Sequence, residues 1–257
     1  MKSLRNTVFS AAVLSALMVL ASCGTHLTVM TYNVGAFGKY MEDSTSDVAD
    51  IIRSCGADIV ALNELDSCNR RHPVHQAEKL AEELGGWDFR FGSAFPFAGG
   101  AYGNGVVSES EIIRFGRVLL PVSDGAEQRN FIVVETKDCV LAAVHLDHKG
   151  QRASLDQALF INKWFTDNYS ECSKPVLLCG DMNSVPGSEV MAELEKSWDM
   201  LTETSPTYPS EYPEICIDYI LRLKSSPKVR LISTEVVSTP ATATASDHLP
   251  VCVRMIY

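Results

Sequence analysis

The chain reads as an α+β fold of two sheets packed together with helices on the outside, and three observations point there. Strand-like and helix-like stretches are interleaved along the whole length. Only some of the strands have a helix between them, which favours two packed sheets over a regular alternation. No shift in composition, internal repeat or low-complexity block divides the 257 residues, so one domain with a sizeable core is expected.

The first 22 residues are set apart from the fold. Met1-Lys2-Ser3-Leu4-Arg5 is a short basic region, and the apolar stretch over 8–20 is too short, with these flanks, for a membrane span. It ends in Leu20-Ala21-Ser22-Cys23-Gly24, which resembles a bacterial lipoprotein signal cleaved before Cys23, with the lipid carried on Cys23. An ordinary secretory signal with an incidental cysteine is the alternative. The expected division is a signal over 1–22 and one domain over 23–257. Gly24, Thr25 and His26 alone separate the lipid from the first strand, and at about 3.3 Å per residue that is a short tether. The domain is therefore expected at the membrane surface of the cell envelope, on its periplasmic or outer side.

Within the domain, 27–32 alternates and is β-rich, a strand. A helix over 44–55 carries Val48, Ile51, Ile52 and Cys55 on one face, with Ser44 or Ser46 as cap and Gly56 as stop. A strand over 58–65 follows. A helix over 75–84 presents Ala77, Leu80, Ala81 and Leu84 and stops at Gly85-Gly86. Strands are expected over 105–107, 112–120, 131–135 and 140–145, the last two as neighbours. A long helix over 151–168 carries Leu155, Ala158, Leu159 and Phe165, and a buried strand spans 176–179. A short helix over 188–195 has Ser188 as its cap. Strands over 217–223, 229–237 and 248–255 complete the series.

Formal net charge is −10, and setting Lys2 and Arg5 aside makes the remainder two charges more acidic. That balance disfavours tight binding of long nucleic acid, which depends on clustered Lys and Arg. Seven cysteines follow Cys23, an odd number that cannot all pair within the chain. Cys139, Cys179 and Cys252 sit in apolar runs and read as buried small hydrophobes. The cysteine spacings form no zinc pattern.

The chemistry gathers at strand ends. The run Val176-Leu177-Leu178-Cys179 stops at Gly180 and presents Asp181-Met182-Asn183. Other ends carry Asn33, Asn63-Glu64, His145 and Asp218, and the last strand is entered through Ser246-Asp247-His248. Each has a plain explanation alone: Asp and Asn form turns, Glu64 is a surface carboxylate, His145 a satisfied core histidine, Asp218 half of a salt bridge. Six such coincidences, all at strand ends, favour one assembled site.

The ordered set Thr31-Tyr32-Asn33, Leu62-Asn63-Glu64, Gly103-Asn104-Gly105, Val144-His145-Leu146, Gly180-Asp181-Met182-Asn183, Ile217-Asp218-Tyr219 and Ser246-Asp247-His248 resembles the endonuclease/exonuclease/phosphatase family, from residue 27 to 257. Any one motif is weak; the series is specific. The resemblance implies a four-layer αββα sandwich of two mostly antiparallel sheets flanked by helices. It also implies hydrolysis of phosphoester bonds with Mg²⁺ or Mn²⁺, for which hard oxygen ligands are suited. By that resemblance Glu64 is the main metal carboxylate, with Asn33 beside it and Asp247 near the metal or the attacking water. Asp181 orients or deprotonates that water. Asn183 holds a phosphoryl oxygen or the water. His248 contacts the phosphate, Asp218 fixes its tautomer and charge, and His145 donates to a non-bridging oxygen. Asn104 belongs to the same series and is carried over as a substrate contact.

Asn63 stands where the family often has Gln, a change that keeps the amide. The run Leu146-Asp147-His148-Lys149-Gly150-Gln151-Arg152 resembles a subgroup in which His148, Lys149 and Arg152 form a phosphate patch; a solvated helix start explains it as well. Arg129 matches a family arginine that is either structural or phosphate-facing. Two segments, 91–102 and 204–213, are candidate specificity loops, and Tyr102, Tyr208 or Tyr212 could stack on a base or sugar ring, packing under the loop being the alternative. The expected function is a metal-dependent hydrolase of a small or exposed phosphoester, membrane-tethered and monomeric. The competing readings are an extracytoplasmic nuclease for scavenging and a catalytically inactive surface binding module.

Overall fold

The computed structural model describes residues 24–123 and 126–257; Cys23 lies outside them. Among the described residues twelve strands form two six-stranded sheets. The first holds β1 (His26–Asn33), β2 (Ile59–Ser67), β3 (Asp88–Phe97), β4 (Gly100–Ser108), β11 (Arg230–Val236) and β12 (Val251–Ile256), in the order β11-β12-β1-β2-β4-β3. The second holds β5 (Arg114–Leu119), β6 (Asn130–Glu135), β7 (Val140–His145), β8 (Val176–Asp181), β9 (Trp198–Met200) and β10 (Asp218–Leu223), in the order β5-β6-β7-β8-β10-β9. Each sheet has one parallel pair, β1 with β2 and β7 with β8, and is otherwise antiparallel. Helix α1 (Thr45–Cys55) joins β1 to β2, and α3 (Gln151–Tyr169) joins β7 to β8, the crossover that a parallel pair requires.

Side chains alternate between two cores along each strand. Met30 and Tyr32 of β1 pack with Val48 and Ile52 of α1 and with Leu80 of α2 (Gln76–Glu83). Leu27 and Val29 point the other way, onto Leu177, Cys179 and Ile220 of the second sheet. That sheet's far face packs under α3 and α4 (Glu189–Ser197), where Phe131, Phe165 and Trp198 are buried. The layers are therefore αββα, as the resemblance implies. Strands covered on both faces read as continuous apolar runs, which is why 140–145 and 176–179 are so plainly written. Among the described residues no helix is long and apolar enough to cross a membrane.

Several boundaries differ from the sequence expectation. The segment 91–102, expected as a specificity loop, is the β3–β4 hairpin at the edge of the first sheet. Gly92, Ser93 and Pro96 disguise it, yet an edge strand tolerates proline because its outer N–H groups have no ladder partner. Strand β9 is three residues long and has no pattern of its own. Ser44 stands at the start of α1, but its hydroxyl donates to Ala245 O and Asp43 accepts from Thr45 N instead. Ser188 does cap α4, accepting from Met191 N. The cysteines from Cys55 onward are all free thiols, and Cys139, Cys179 and Cys252 are buried.

One glycine is required by both space and backbone. Gly180 has φ +144, and a Cβ there would lie 1.9 Å from Val144 O on the neighbouring strand. Gly180→Ala is expected to destabilise the fold by more than about 3 kcal/mol, read as a lower urea midpoint at unchanged slope. A variant with wild-type stability would show that the β7–β8 approach is looser than this.

Candidate active site

Topology brings the polar strand ends together. Parallel β1 and β2 finish side by side, with Asn33 opposite Asn63. Parallel β7 and β8 do the same, with His145 opposite Asp181. Antiparallel β10 begins where β8 ends, so Asp218 faces Asp181. Antiparallel β12 is entered beside the end of β1, which delivers Asp247 and His248. Both sheets thus present their chemistry at one end of the sandwich, around a cleft of about 430 Å³.

A bulge in β2 aims two adjacent side chains at different targets. The β2–β4 register shifts between Leu62 and Leu65, and Glu64 has φ +59. Bulges of this kind re-aim side chains beside active sites. Asn63 turns inward: its amide donates to Asn104 Oδ1 at 2.9 Å and Val144 O at 2.8 Å, and its oxygen accepts from Asp181 N at 3.0 Å. Glu64 turns to the cleft. After β1, the single turn Gly35–Phe37 has three consecutive positive φ values and returns the chain so that Lys39 reaches Glu64 Oε2 at 3.6 Å and Asp247 Oδ2 at 3.1 Å. Lys39 went unnoticed in the sequence; the only signal is the glycine-rich turn before it.

Glu64 and Asp247 are partly open, at 20% and 16% side-chain exposure, and share one cation in Lys39. Two carboxylates that one ammonium touches together also suit a hard divalent ion. Burial lowers the Lys39 pKa, and Glu64 and Asp247 overcome this and raise it. A second cluster, Asp181, Asp218 and His248, has its ligand atoms within 4.8 Å of one another. There His248 Nδ1 is already bonded to Asp218 Oδ2 at 2.9 Å, and Thr207 Oγ1 donates to the same oxygen at 2.6 Å. With Asp218 Oδ2 already engaged by two donors, this buried set is suited to holding a proton, and the open Glu64–Asp247 pair fits a metal better.

Asn33 joins the two groups. Its amide nitrogen lies 3.2 Å from Glu64 Oε1, 3.1 Å from Asp181 Oδ2 and 3.3 Å from His248 Nε2. An amide has two protons; the carboxylates take both, so the approach to His248 is proximity without a bond. Burial pushes the Asp181 carboxyl up, to about 7, with Asp218 adding to the rise and His248 opposing it. Burial works against a charge on His248, but the Asp218, Asp181 and Asp247 carboxylates prevail and lift it to about 10. Burial first and the Arg129 guanidinium second hold His145 well below the ordinary imidazole range. The site therefore combines a carboxyl pushed toward its protonated form, one imidazole pushed toward its charged form and one pushed toward its neutral form.

Asn183, with φ +46, donates from its backbone N to Asp181 Oδ1 at 2.8 Å and lines the cleft. Tyr208 lies on the wall with its ring centroid 4.8 Å from that of His248. Two expected contacts are not brought in. Asn104 is buried behind the cleft, accepting from Asn63 and donating to Asn130. Arg152 is 80% exposed, pairs with Asp156 and lines a separate depression with Lys149. Tyr212 is exposed outside the cleft lining, whereas Tyr102 belongs to it. Arg129, Glu127, His148, Val185, Ile215 and Ile217 also line the cleft.

The family model described as Endonuclease/Exonuclease/phosphatase family matches residues 30–248. The uncharacterized protein YbhP of Escherichia coli K12 is 27% identical over 194 residues, 68% of this chain and 75% of that protein. The crystal structure of an endonuclease/exonuclease/phosphatase from Bacteroides vulgatus superposes with a TM-score of 0.74 at 18% identity, over 90% of this chain and 98% of the other. The mannosyl-6-phosphatase of Bacteroides thetaiotaomicron VPI-5482 gives 0.71 at 18% identity, over 90% and 100%.

Asp218→Asn keeps the hydrogen-bonding shape beside His248 but removes the charge that holds the imidazolium. We expect turnover of bis(p-nitrophenyl) phosphate to fall by roughly 10²-fold or more with the near-UV circular dichroism unchanged. Wild-type turnover would remove Asp218 from the proton-placing set.

Proposed function

The chain belongs to the endonuclease/exonuclease/phosphatase family, and from that premise we propose that it is a divalent-metal-dependent hydrolase of phosphoester bonds. The observation that carries the reading is the convergence of Glu64, His145, Asp181, Asn183, Asp247 and His248 on one cleft from both sheets.

Glu64 and Asp247 would hold Mg²⁺ or Mn²⁺, which supplies charge to the phosphoryl oxygens and lowers the pKa of water; Asn33, expected beside the metal, instead donates to Glu64 with its oxygen taken by Gly35 N, and so positions the carboxylate. Asp181 is the residue to accept the proton of an attacking water, because a base works best with its pKa near the working pH. Charged His248, braced by Asp218, donates to a phosphoryl oxygen as negative charge builds there. Neutral His145, whose Nε2 approaches the same Asp181 oxygen as that of His248, donates beside it. Asn183, fixed by its bond to Asp181, orients the water or the oxygen.

The cleft lining mixes the charged and polar site residues with the apolar Val185, Ile215, Ile217 and the Tyr208 ring. A cleft of about 430 Å³ with that lining suits one small phosphorylated molecule, with its leaving group against the apolar residues. The acidic balance of the chain speaks against long nucleic acid, so a scavenging nuclease is the second reading. A sugar monophosphate is worth testing because of the mannosyl-6-phosphatase with the same fold.

Metal-dependent release of p-nitrophenol from bis(p-nitrophenyl) phosphate is expected, lost on chelation and restored by Mg²⁺ or Mn²⁺. Glu64→Gln and His248→Ala should each lose about 10²-fold or more in turnover while keeping the fold. Near-normal activity with chelator, or in either variant, would remove the metal or that residue from the reading; no turnover of any ester would favour the binding module. A panel of sugar phosphates, inositol phosphates, phospholipids, RNA and plasmid DNA then assigns the substrate.

We extend the proposal to location. If Cys23 bears lipid, the tether enters at His26, the end of β1 opposite Asn33, so the cleft faces away from the membrane toward soluble esters. Cys23→Ala should move the protein from the detergent to the aqueous phase in a Triton X-114 partition. Wild-type protein found in the aqueous phase would end the tethered reading.

A further inference from the structure

Arg129 is buried at the cleft wall with its guanidinium between two histidines: Nη1 is 3.2 Å from His145 Nδ1, and Nη2 is 3.0 Å from His148 Nδ1. A guanidinium has five donors, no acceptor, and keeps its charge in a protein. Each facing Nδ1 must therefore present its lone pair. A neutral imidazole carries one proton, so on both rings it sits on Nε2. For His145 that nitrogen lies 3.5 Å from Asp181 Oδ2, inside the cleft.

We propose that Arg129 is a positioning residue of the site, fixing His145 and His148 as Nε2–H tautomers so that His145 offers an aimed N–H donor to a phosphoryl oxygen beside Asp181. The inference rests on the phosphoester reading for its chemistry and on the guanidinium geometry for its structure.

The surroundings are built for this task. Asp147 fastens the segment before β6 to the segment after β7: its Oδ2 accepts from Glu127 N at 2.9 Å and its Oδ1 from Lys149 N at 2.7 Å. The run His145-Leu146-Asp147-His148 then acts as one device, with two rings facing Arg129 and a carboxylate staple between them. Arg129 is badly served as a structural residue. Among the described residues its nearest carboxylate oxygen is Glu127 Oε1 at 3.7 Å, and its Nε is buried with no partner. Burying a guanidinium this way costs stability, which is reasonable where the charge works on the cleft. Neutral His145 is also the state expected beside a fixed cation.

The consequence is a division of labour. With Nδ1 blocked and Nε2 carrying the proton, His145 neither accepts nor releases one; it supplies a hydrogen bond, strengthened by the cation behind the ring. Proton acceptance is left to Asp181.

Long-range ¹H–¹⁵N correlation spectra of the full-length protein labelled with ¹⁵N-histidine read the tautomer directly, with His145→Gln identifying the signal. A bare Nδ1 and protonated Nε2 are expected throughout the range in which a free imidazole titrates. Arg129→Lys replaces a two-pronged fork with one ammonium. It should leave tautomers mixed and lower kcat for bis(p-nitrophenyl) phosphate by about 10²-fold, with KM changed less than about threefold. In a His145→Gln background, whose amide donor has no tautomer to set, the same change should cost little more. A wild-type His145 protonated on Nδ1, or fully additive losses in the double variant, would overturn the proposal. If Arg129→Lys fails to fold, the wild-type spectrum decides alone. That spectrum needs no turnover, so failure of this inference is told apart from failure of the hydrolase reading.

Discussion

The side chain of Asn63 ties the two sheets together at the end that carries the chemistry. It is fully buried, donates to Val144 O on β7 and accepts from Asp181 N on β8, and both bonds cross between sheets. A sandwich core of Val, Ile, Leu and Ala is non-directional and tolerates small slips of one sheet over the other. The amide does not, because a slip would leave its donor and acceptor buried and unpaired at roughly 1–3 kcal/mol each. Asn104 and Asn130 continue the bonding behind it. Asn33, donating to Glu64 and Asp181, adds a second cross-sheet tie closer to the cleft. Polar groups in this layer set distances that apolar packing alone would leave loose.

Four acidic side chains crowd a site that must bind an anion, and the arrangement separates their tasks. Asp218 is spent on His248, whose imidazolium offsets its charge. Glu64 and Asp247 face outward and share a cation. Asp181 is left between them, deep and proton-prone. The histidines differ for the same reason: one is backed by a carboxylate, the other by a guanidinium. Partner identity, not sequence position, makes one a cation and the other a neutral donor.

The fold was legible where burial is two-sided. Runs such as Val140–His145 and Val176–Asp181 must be apolar on both faces, so their first polar residue marks the strand end and the cleft at once. The break in alternation at Asn63-Glu64, two polar residues between leucines, is the trace of the bulge. The β3–β4 hairpin was not legible, because glycines and a proline at a sheet edge look like a loop; its Gly103 is needed where a Cβ would lie 2.0 Å from Gly92 O. Lys39 was not legible either. Its place depends on a left-handed turn that brings it back over the strand ends, and no spacing rule relates it to Glu64 or Asp247. Asn104 has the residue type of a substrate contact but lies one layer too deep, a distinction only packing can make. Arg129 was visible as a residue, and its task emerged only from the two rings it faces.

Backbone strain gathers at the same end. Among the described residues six that are not glycine have positive φ; Cys68 and Ala98 serve the β2 end and the β3–β4 hairpin, whereas Ala36, Phe37, Glu64 and Asn183 belong to the turn or strand tips that aim site residues. Such conformations cost about 1–3 kcal/mol apiece and persist only where the surroundings overdetermine them. Here the overdetermination is visible: Asn183 is held by Asp181 Oδ1 and Leu146 O, and Gln76 donates to Ala36 O from the helix side. The rigid double core supplies the stability that the cleft end gives up. The strain at Ala36, Phe37, Glu64 and Asn183, the buried charge of Asp181 and Asp218 and the unpaired Nε of Arg129 are the local disagreements with good folding that a working site requires, and their meeting around one cleft is itself an argument that the cleft is where this chain acts.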